Sequence, residues 1–476
     1  MTRFFRPHRP FPLLRPAWSS AIKLVHLTLW LILLLFALPA QAVRLAQGEA
    51  GQVAILPLYN TLGGLDTLIK ISNGPEYSAV RVQFRGPDGE ATETLNVYLA
   101  PDEAWQAAVS MGPEGPRLAT ADTSCVLVTS TGFSPVSALQ SDLSLSASFG
   151  YAEVLLMGQV EDLEIQSDIS DRSCQALAGA FGSGPFLGIW GGGQANTGIS
   201  APTDSLHIHY QLIDVERGTR YGLDAVHLAQ FRDQPFHVPP MESFGLADAH
   251  DDGTDIGETR SLVCDAECTV ETWADPRDAV ASVLLAEARR VDYVVNPDIG
   301  ASSSFVLLNP MHPYYAEGEI PEPEARLYVT DSEAGFVSPF VCLAPPPPNT
   351  LCPPASPLTQ PEALSAFTLK VDEPGMVVTK PVPILEISGL YPIAQDFFDS
   401  VPIDALISGS AYVLFPSFGL ASLTSNDGTE YSGLPSIVVG FTEFINGELT
   451  SADGGSVRAN YGSAAFGAKA DSVIAQ

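Results

Sequence analysis

Two histidines near the middle of the chain have the spacing of a metal site built on a β-strand. One residue separates His207 from His209. Side chains at positions i and i+2 of a strand point to the same side, so both imidazoles would share one face. Gln211 shares that side, and no third ligand is evident where zinc would need at least three protein ligands. The pattern therefore favours a solvated face of a β-sheet over a metal site.

An acidic loop is the second place where chemistry is conceivable, because calcium prefers flexible loops rich in oxygen ligands. Its spacing does not fit an EF-hand, and the chain holds 55 Asp and Glu residues, so such clusters also arise by chance. We keep the loop as a weak calcium candidate and predict no other cofactor. Its acidic residues are Asp248, Asp251, Asp252, Asp255 and Glu258.

No catalytic motif stands out, because the nucleophile-elbow, zinc-protease, phosphate-loop and dinucleotide patterns are all missing from the sequence. A glycosidase needs two carboxylates about 5–10 Å apart. Glu153 on a predicted strand is no better a candidate than many other acids. Four aromatic residues could stack on sugar rings, although core packing is the more common role of such residues in strands. They are Tyr98, Trp105, Tyr314 and Tyr315.

Six cysteines predict disulfides if the chain leaves the cytoplasm. Short separations favour the pairs Cys264–Cys268 and Cys342–Cys352, which leaves Cys125 with Cys174, although other connectivities are open. Zinc is the alternative for Cys264 and Cys268, but no second Cys or His pair follows at a familiar zinc spacing.

Alternating apolar residues predict mostly strands. Residues 80–99 form a predicted hairpin with one buried face, turning at 86–89. Residues 205–231 form another, with a turn at 217–219. A strand at 437–445 runs into Asn446-Gly447, a strong hairpin-turn signal.

Two helices are predicted. One begins at Asp275-Pro276, an N-cap followed by proline, and ends near Arg289-Arg290. A shorter helix begins near Ser170 or Asp171 and carries Cys174.

These elements indicate two or more β-sandwich domains, immunoglobulin-like or jelly-roll-like, with a few short helices. We expect a signal peptide at 1–42, an N-terminal sandwich at 43–165, a β-rich region with helical inserts at 166–300, and a C-terminal sandwich at 301–476 with a proline-rich loop at 344–361. The strand pair Thr67–Asn73 and Arg81–Phe84 also resembles Ser304–Asn309 and Arg326–Val329, so either an internal duplication or two generic strand pairs are open.

The N-terminus has the three parts of a secretory leader: basic residues, an apolar run at 24–38, and the cleavage-like Ala40-Gln41-Ala42. Cleavage is favoured over a retained anchor because the run is short for a membrane span. Removing the five basic residues of the leader leaves 18 Lys and Arg against 55 Asp and Glu, so the formal net charge changes from −32 to −37. Such a surface repels nucleic acid and anionic lipid.

The N-terminal region contains Gly51-Gln52-Val53, an opening around Tyr59, and a segment from Leu99 to Trp105. These features resemble a group of uncharacterised exported proteobacterial proteins that share a Gly-Gln-Val…Pro-Tyr-Tyr-Thr opening and a Leu-x-Pro-x-Asp-x-Trp segment. Leu58 and Asn60 depart from the aromatics of that group. The resemblance implies export and a β-rich fold, and it transfers no activity.

The leading functional hypothesis is a secreted, periplasmic or surface protein that binds an envelope protein or a glycan without catalysis. A secreted polysaccharide hydrolase and a structural subunit that assembles by strand addition are the alternatives. Nucleic acid is not an expected partner, and a membrane is expected to meet the chain only through its leader, during export.

Overall fold

The computed structural model describes residues 42–46, 50–129, 136–181, 196–250, 258–264, 267–296, 300–315, 324–331, 335–337, 358–359, 363–372, 376–380, 401–402, 408–415, 422–450 and 456–470. Residues from Ala42 to Gln476 form one compact unit, which is mainly β, as the sequence predicted. Within the described ranges, none of the helices combines the length and the apolar character needed to cross a bilayer.

The described residues of the first half of the unit contain fifteen strands. In chain order they are β1 Arg44–Leu45, β2 Val53–Asn60, β3 Leu65–Ser72, β4 Ser78–Arg85, β5 Ala91–Leu99, β6 Ala104–Gly112, β7 Gly115–Ala119, β8 Cys125–Thr129, β9 Val136–Ala138, β10 Leu143–Ser144, β11 Phe149–Val160, β12 Ile199–Ser200, β13 His207–Asp214, β14 Thr219–Asp224 and β15 Val226–Ala229.

The second half contains the remaining described strands. They are β16 Thr259–Cys264, β17 Cys268–Trp273, β18 Leu285–Ala286, β19 Ala288–Val294, β20 Ala301–Leu308, β21 Glu324–Asp331, β22 Gly335–Val337, β23 Leu358–Thr359, β24 Leu364–Asp372, β25 Met376–Lys380, β26 Val401–Pro402, β27 Ser408–Leu414, β28 Leu423–Thr424, β29 Glu430–Tyr431, β30 Leu434–Pro435, β31 Ile437–Thr450, β32 Ser456–Phe466 and β33 Ala468–Ala470.

Three α-helices are described: α1 Leu163–Ser170, α2 Cys174–Phe181 and α3 Pro276–Leu284. Asp275 caps α3 as predicted, because its side chain accepts the Arg277 backbone N–H. The predicted end of this helix near Arg289-Arg290 is wrong. The backbone becomes extended at Leu285, and the chain continues into β18 and β19.

Most strands assemble into four antiparallel sheets. Sheet A has the order β1-β15-β2-β11-β4-β5-β8-β9, with β12 beside β11, and sheet B has the order β10-β7-β6-β3-β13-β14. Sheet C has the order β22-β21-β27-β19-β33, with β23 beside β21, and sheet D has the order β26-β25-β24-β20-β31-β32. We call β1–β15 the first repeat and β19–β33 the second repeat.

The two repeats have the same strand order. The run β15-β2-β11-β4-β5 of sheet A corresponds to β33-β19-β27-β21-β22 of sheet C, and all of sheet B corresponds strand by strand to sheet D. The two strand pairs that resemble each other in sequence occupy equivalent positions: β3 and β20 each end just before an asparagine, Asn73 or Asn309, and β4 corresponds to β21. This common order supports an internal duplication over a chance likeness of two strand pairs.

The repeats touch through equivalent strands, because β14 of the first contacts β32 of the second. Tyr221 of β14 sets its ring edge-on to Phe441, with centroids 5.6 Å apart. It also fills the space beside Gly462, where a Cβ would lie 2.3 Å from the tyrosine ring. Nearby, the Asn460 side-chain amide donates a hydrogen bond of 2.7 Å to the Arg217 carbonyl.

The prediction that the hairpin at 80–99 has only one buried face is wrong for β4, all of whose residues are buried. Val80, Val82 and Phe84 enter the core. On the other side, Arg81 donates to the carbonyls of Pro239 and Pro240, each at 3.2 Å. A segment from further along the chain therefore lies across the face that alternation assigned to solvent.

The predicted domain limits can be compared with the observed strand pairing. Strands β13 to β15 come from the predicted middle region, yet they pair with β3 and β2 of the predicted first domain. The leader lies outside the described residues except for Ala42, and so does the proline-rich loop except for Leu358–Thr359.

Candidate functional site

Sheet B turns one face to the core and the other outward. On β3, Thr67, Ile69 and Ile71 are buried, whereas Leu68 and Lys70 between them are exposed. The same alternation holds on β13 and β14. Alternating apolar and polar residues produce this division because successive side chains of a strand point to opposite faces.

A row of polar side chains crosses four strands of this outer face. His209 stands directly opposite Asp224 on one side and Lys70 on the other, and Lys70 stands opposite Gln106. Neighbouring strands are about 4.8 Å apart, so the row spans about 14 Å. It thus offers a carboxylate, an imidazole, an ammonium group and an amide in sequence.

A shallow groove lies beside this row, with a volume of about 420 Å³. Leu68, 39% exposed, provides an apolar patch in it, and Ala108 and Ala119 provide small side chains. Gln211 lies on the same outward face, and residues 119–121 form a rim. We call this the sheet B groove. Apolar surface combined with a few polar groups is the usual composition of a ligand site.

His207 and His209 share one face of β13, as predicted. Asp224 joins them from β14, with its Oδ1 2.9 Å from His209 Nδ1 and 3.8 Å from His207 Nε2. The Gln211 amide lies 3.1 Å from His209 Nε2. Nevertheless, no three His, Cys, Asp or Glu side chains within the described residues are arranged to hold a metal ion.

His227 lies behind this pair, with its ring stacked on that of His207 at 5.8 Å between centroids. Its Nε2 accepts the Ile208 backbone N–H at 3.1 Å. Burial, assisted by the nearby His207, lowers the pKa of His227 to about 4, so the ring is neutral at physiological pH. The neutral His227 ring therefore has a structural role, because it accepts a backbone hydrogen bond from β13.

Only part of the calcium candidate can be compared with the structure. Asp248 accepts the Gly245 backbone N–H at 2.8 Å, and burial raises the pKa of its carboxyl. This carboxylate closes a turn of its own backbone. Asp251, Asp252 and Asp255 lie outside the described residues, and Glu258 precedes β16.

Glu153 on β11 is fully buried and lies in a polar cluster. The Arg85 Nε donates to one carboxylate oxygen at 2.7 Å, and the Tyr314 hydroxyl donates to the other at 2.5 Å. Arg85 also donates to the Tyr314 hydroxyl, as does the Leu246 backbone N–H. The cluster joins four distant segments and has no exposed carboxylate for catalysis.

The four aromatic candidates for sugar stacking have other roles. Trp105 and Tyr98 are fully buried in the core, and Tyr98 hydrogen-bonds His237 at 2.8 Å. Tyr314 bonds Glu153, and the Tyr315 hydroxyl donates to Asp278 at 2.8 Å. Core packing, which the sequence favoured for most of them, is thus the role of Trp105 and Tyr98, while Tyr314 and Tyr315 are half-buried against the core.

The two repeats differ at the groove. On β3 the outward residues are exposed, but on the equivalent β20 nearly every residue is buried. Val306 and Leu308 of β20 join the main hydrophobic core, and β20 contacts β2 of the first repeat. The second repeat therefore packs this face at β20, whereas the first leaves it exposed at β3.

Two predicted disulfides are confirmed, Cys125–Cys174 and Cys264–Cys268. The first links β8 to the start of α2, and the second links the end of β16 to the start of β17. Cys342 and Cys352 lie outside the described residues. The two disulfides suggest an oxidising, exported environment.

Comparison with known proteins adds no relative. No family, curated protein or solved structure matches this chain. The groove itself therefore provides the basis for a functional proposal.

The sequence interpretation singled out His207, His209 and Gln211 but overlooked Lys70, Gln106 and Asp224. Asp224 could have been found from the predicted hairpin, because a turn at 217–219 sets Asp214 opposite Thr219 and hence His209 opposite Asp224. Lys70 and Gln106 carry no such signal, since their strands are brought next to β13 only by the long-range order of sheet B.

Proposed function

We propose that this chain is an exported, non-enzymatic glycan-binding protein whose ligand lies in the sheet B groove. The observation that carries the proposal is the open outer face of sheet B, where an exposed leucine is surrounded by hydrogen-bonding side chains. The hydroxyl groups of a glycan need hydrogen-bonding partners, and the C–H faces of its sugar rings need an apolar surface to pack against. The resemblance to exported proteobacterial proteins and the disulfides support export.

The difference between the repeats supports this location. A duplicated fold begins with two equivalent faces, and here one has become core while the other has kept Lys70, Gln106 and His209 in the open. Burying the second face stabilises the fold, so exposure of the first face is consistent with a role in binding.

The proposal includes two β-sandwiches, sheets A with B and sheets C with D. In the first repeat, Val82 of sheet A and Ile69 of sheet B belong to the same hydrophobic core. Such a rigid pair of sheets holds surface side chains in fixed positions, which lowers the entropy lost when a ligand binds.

Binding is favoured over hydrolysis by the carboxylates of the groove region. Asp224 is the one described carboxylate in the polar row, and its Oδ1 is already 2.9 Å from His209. Glycoside hydrolysis uses two carboxylates on either side of the scissile bond. The buried carboxylate of Glu153 is enclosed by Arg85 and Tyr314.

The test is a binding panel of neutral and acidic polysaccharides, measured by calorimetry on the exported protein, with release of reducing ends followed in parallel. A groove-blocking variant, Ala108→Trp, places a large ring on the groove floor. Its matched control is Leu163→Trp, because Leu163 on α1 is 80% exposed and lies outside the groove.

We expect at least one polysaccharide to bind the wild-type and control proteins, to lose affinity for the groove-blocked variant, and to remain uncleaved. Binding that is equal in both variants would place the ligand elsewhere. A panel in which nothing binds, or in which reducing ends accumulate, would contradict the proposal.

A further inference from the structure

Lys70 is an unusual residue in this chain. It is the only lysine between residues 24 and 369, in a sequence with 55 acidic and 23 basic residues. It lies on the exposed side of β3 and lines the sheet B groove. An isolated cation on such an acidic protein stands out as the place where a negative group would meet least repulsion.

Three arginines of the first repeat are engaged by carboxylates of the protein itself, whereas Arg220 is exposed on β14 of the same outer face but does not line the groove. Arg85 pairs with buried Glu153, Arg117 pairs with Asp142, and Arg172 pairs with Glu103. These guanidinium groups are therefore not free to attract a ligand.

Lys70 differs from these arginines. Among the described residues its ammonium group has no hydrogen bond and no ion pair. Its cross-strand neighbours are His209 and Gln106, and the one carboxylate in that row, Asp224, is hydrogen-bonded to His209. The ammonium charge is thus available to a ligand.

We infer that the sheet B groove selects a carboxylate-bearing glycan, with Lys70 binding the carboxylate. This inference rests on the proposed function and narrows it to acidic polysaccharides. Gln106 supplies donors and an acceptor for neighbouring hydroxyls, and Leu68 contacts the apolar side of a sugar ring. Elsewhere the net negative charge of the protein disfavours the same ligand, so Lys70 also fixes where along the surface it binds.

The experiment compares polygalacturonate with its fully methylated ester, which has the same backbone without the charge. Both are titrated into the exported wild-type protein and into Lys70→Met, Lys70→Arg and Lys469→Met. The last is the matched control, because Lys469 is an exposed lysine on β33 of the second repeat. Each titration is repeated at low and high salt.

We expect the wild-type protein to prefer the acid to the ester. Lys70→Met should weaken binding of the acid about fivefold, the effect of losing about one exposed ion pair. Lys70→Arg and Lys469→Met should retain binding, and added salt should reduce the difference in affinity for the acid between the wild type and Lys70→Met because exposed charges are screened.

Equal affinity for acid and ester, or equal binding of the acid by wild type and Lys70→Met, would overturn the inference. If both polymers still lost affinity for the groove-blocked Ala108→Trp variant, the proposed function would stand while the carboxylate preference would fail. Failure of either polymer to bind the wild type would also overturn this inference, and the wider panel would then decide the proposed function separately.

Discussion

Replacement of Glu153 should destabilise the protein more than replacement of any exposed acid. The Glu153 side chain is fully buried and that of Arg85 is 9% exposed, so their charges are held out of water. Glu153→Leu would leave the Arg85 guanidinium buried without its counter-charge. Breaking a buried pair in this way costs about 3–5 kcal/mol, and we expect a loss near 3 kcal/mol because Arg85 keeps its bonds to the Gly89 carbonyl and to Gln83.

The measurement is urea denaturation followed by intrinsic fluorescence, comparing the free energy of unfolding. A double variant, Arg85→Met with Glu153→Leu, should be less destabilised than Glu153→Leu alone, because no unpaired charge remains in the core. The control is Asp292→Asn, which breaks an ion pair of 3.2 Å whose side chains are 50% and 76% exposed. It should cost less than about 1 kcal/mol.

Two results would refute this reasoning about Glu153. A cost of Glu153→Leu no larger than that of Asp292→Asn would mean that the buried charges are solvated in a way the structure does not show. A double variant as unstable as the single variant would mean that lost packing dominates over the unpaired charge.

Two further predictions concern pH and the disulfides. His227 has a pKa of about 4 in the folded chain, against an ordinary value of 6.5. Between these two values the imidazole is protonated in the unfolded chain and neutral in the folded chain. Stability should therefore fall by up to about 3 kcal/mol between pH 6.5 and pH 4, and His227→Gln should flatten that slope in urea titrations, whereas an unchanged slope would exclude His227 as the cause. Serine replacement of Cys125 and Cys174, 49 residues apart, should cost about 4 kcal/mol, against about 2 kcal/mol for Cys264 and Cys268, four apart. Equal costs in thermal unfolding would contradict the loop-length argument.

The sequence predicted local features well where the cause is local. The cap at Asp275 and the hairpin of β13 and β14 depend on neighbouring residues only, and both are present. Asn446-Gly447 shows the limit of such rules. The predicted turn there is wrong, because β31 continues through these two residues to Thr450. The pairing of β31 with β32 shifts register between Ile445 and Glu448, where the two residues lie. Cross-strand pairing over the whole length of β31 outweighs the local turn preference.

Features that depend on distant segments were not predictable. Arg81 and Arg85 have the alternation of a solvent-facing strand, and only the arrival of residues 239–242 and Tyr314 makes them buried. The candidate site has the same limitation. The sequence indicated the outward face of His207 and His209, but Lys70 joins them through the pairing of β3 with β13.

The contact between β14 and β32 bears on how the chain arose. The two copies meet through the same strand, yet their junction is not symmetric, because β20 also contacts β2 whereas the equivalent strand β3 keeps an exposed face. Fusion of the copies frees the halves from having to remain identical. Tyr221 needs a glycine across from it at 462 but no tyrosine in return, so the interface is specific to one orientation of the two halves.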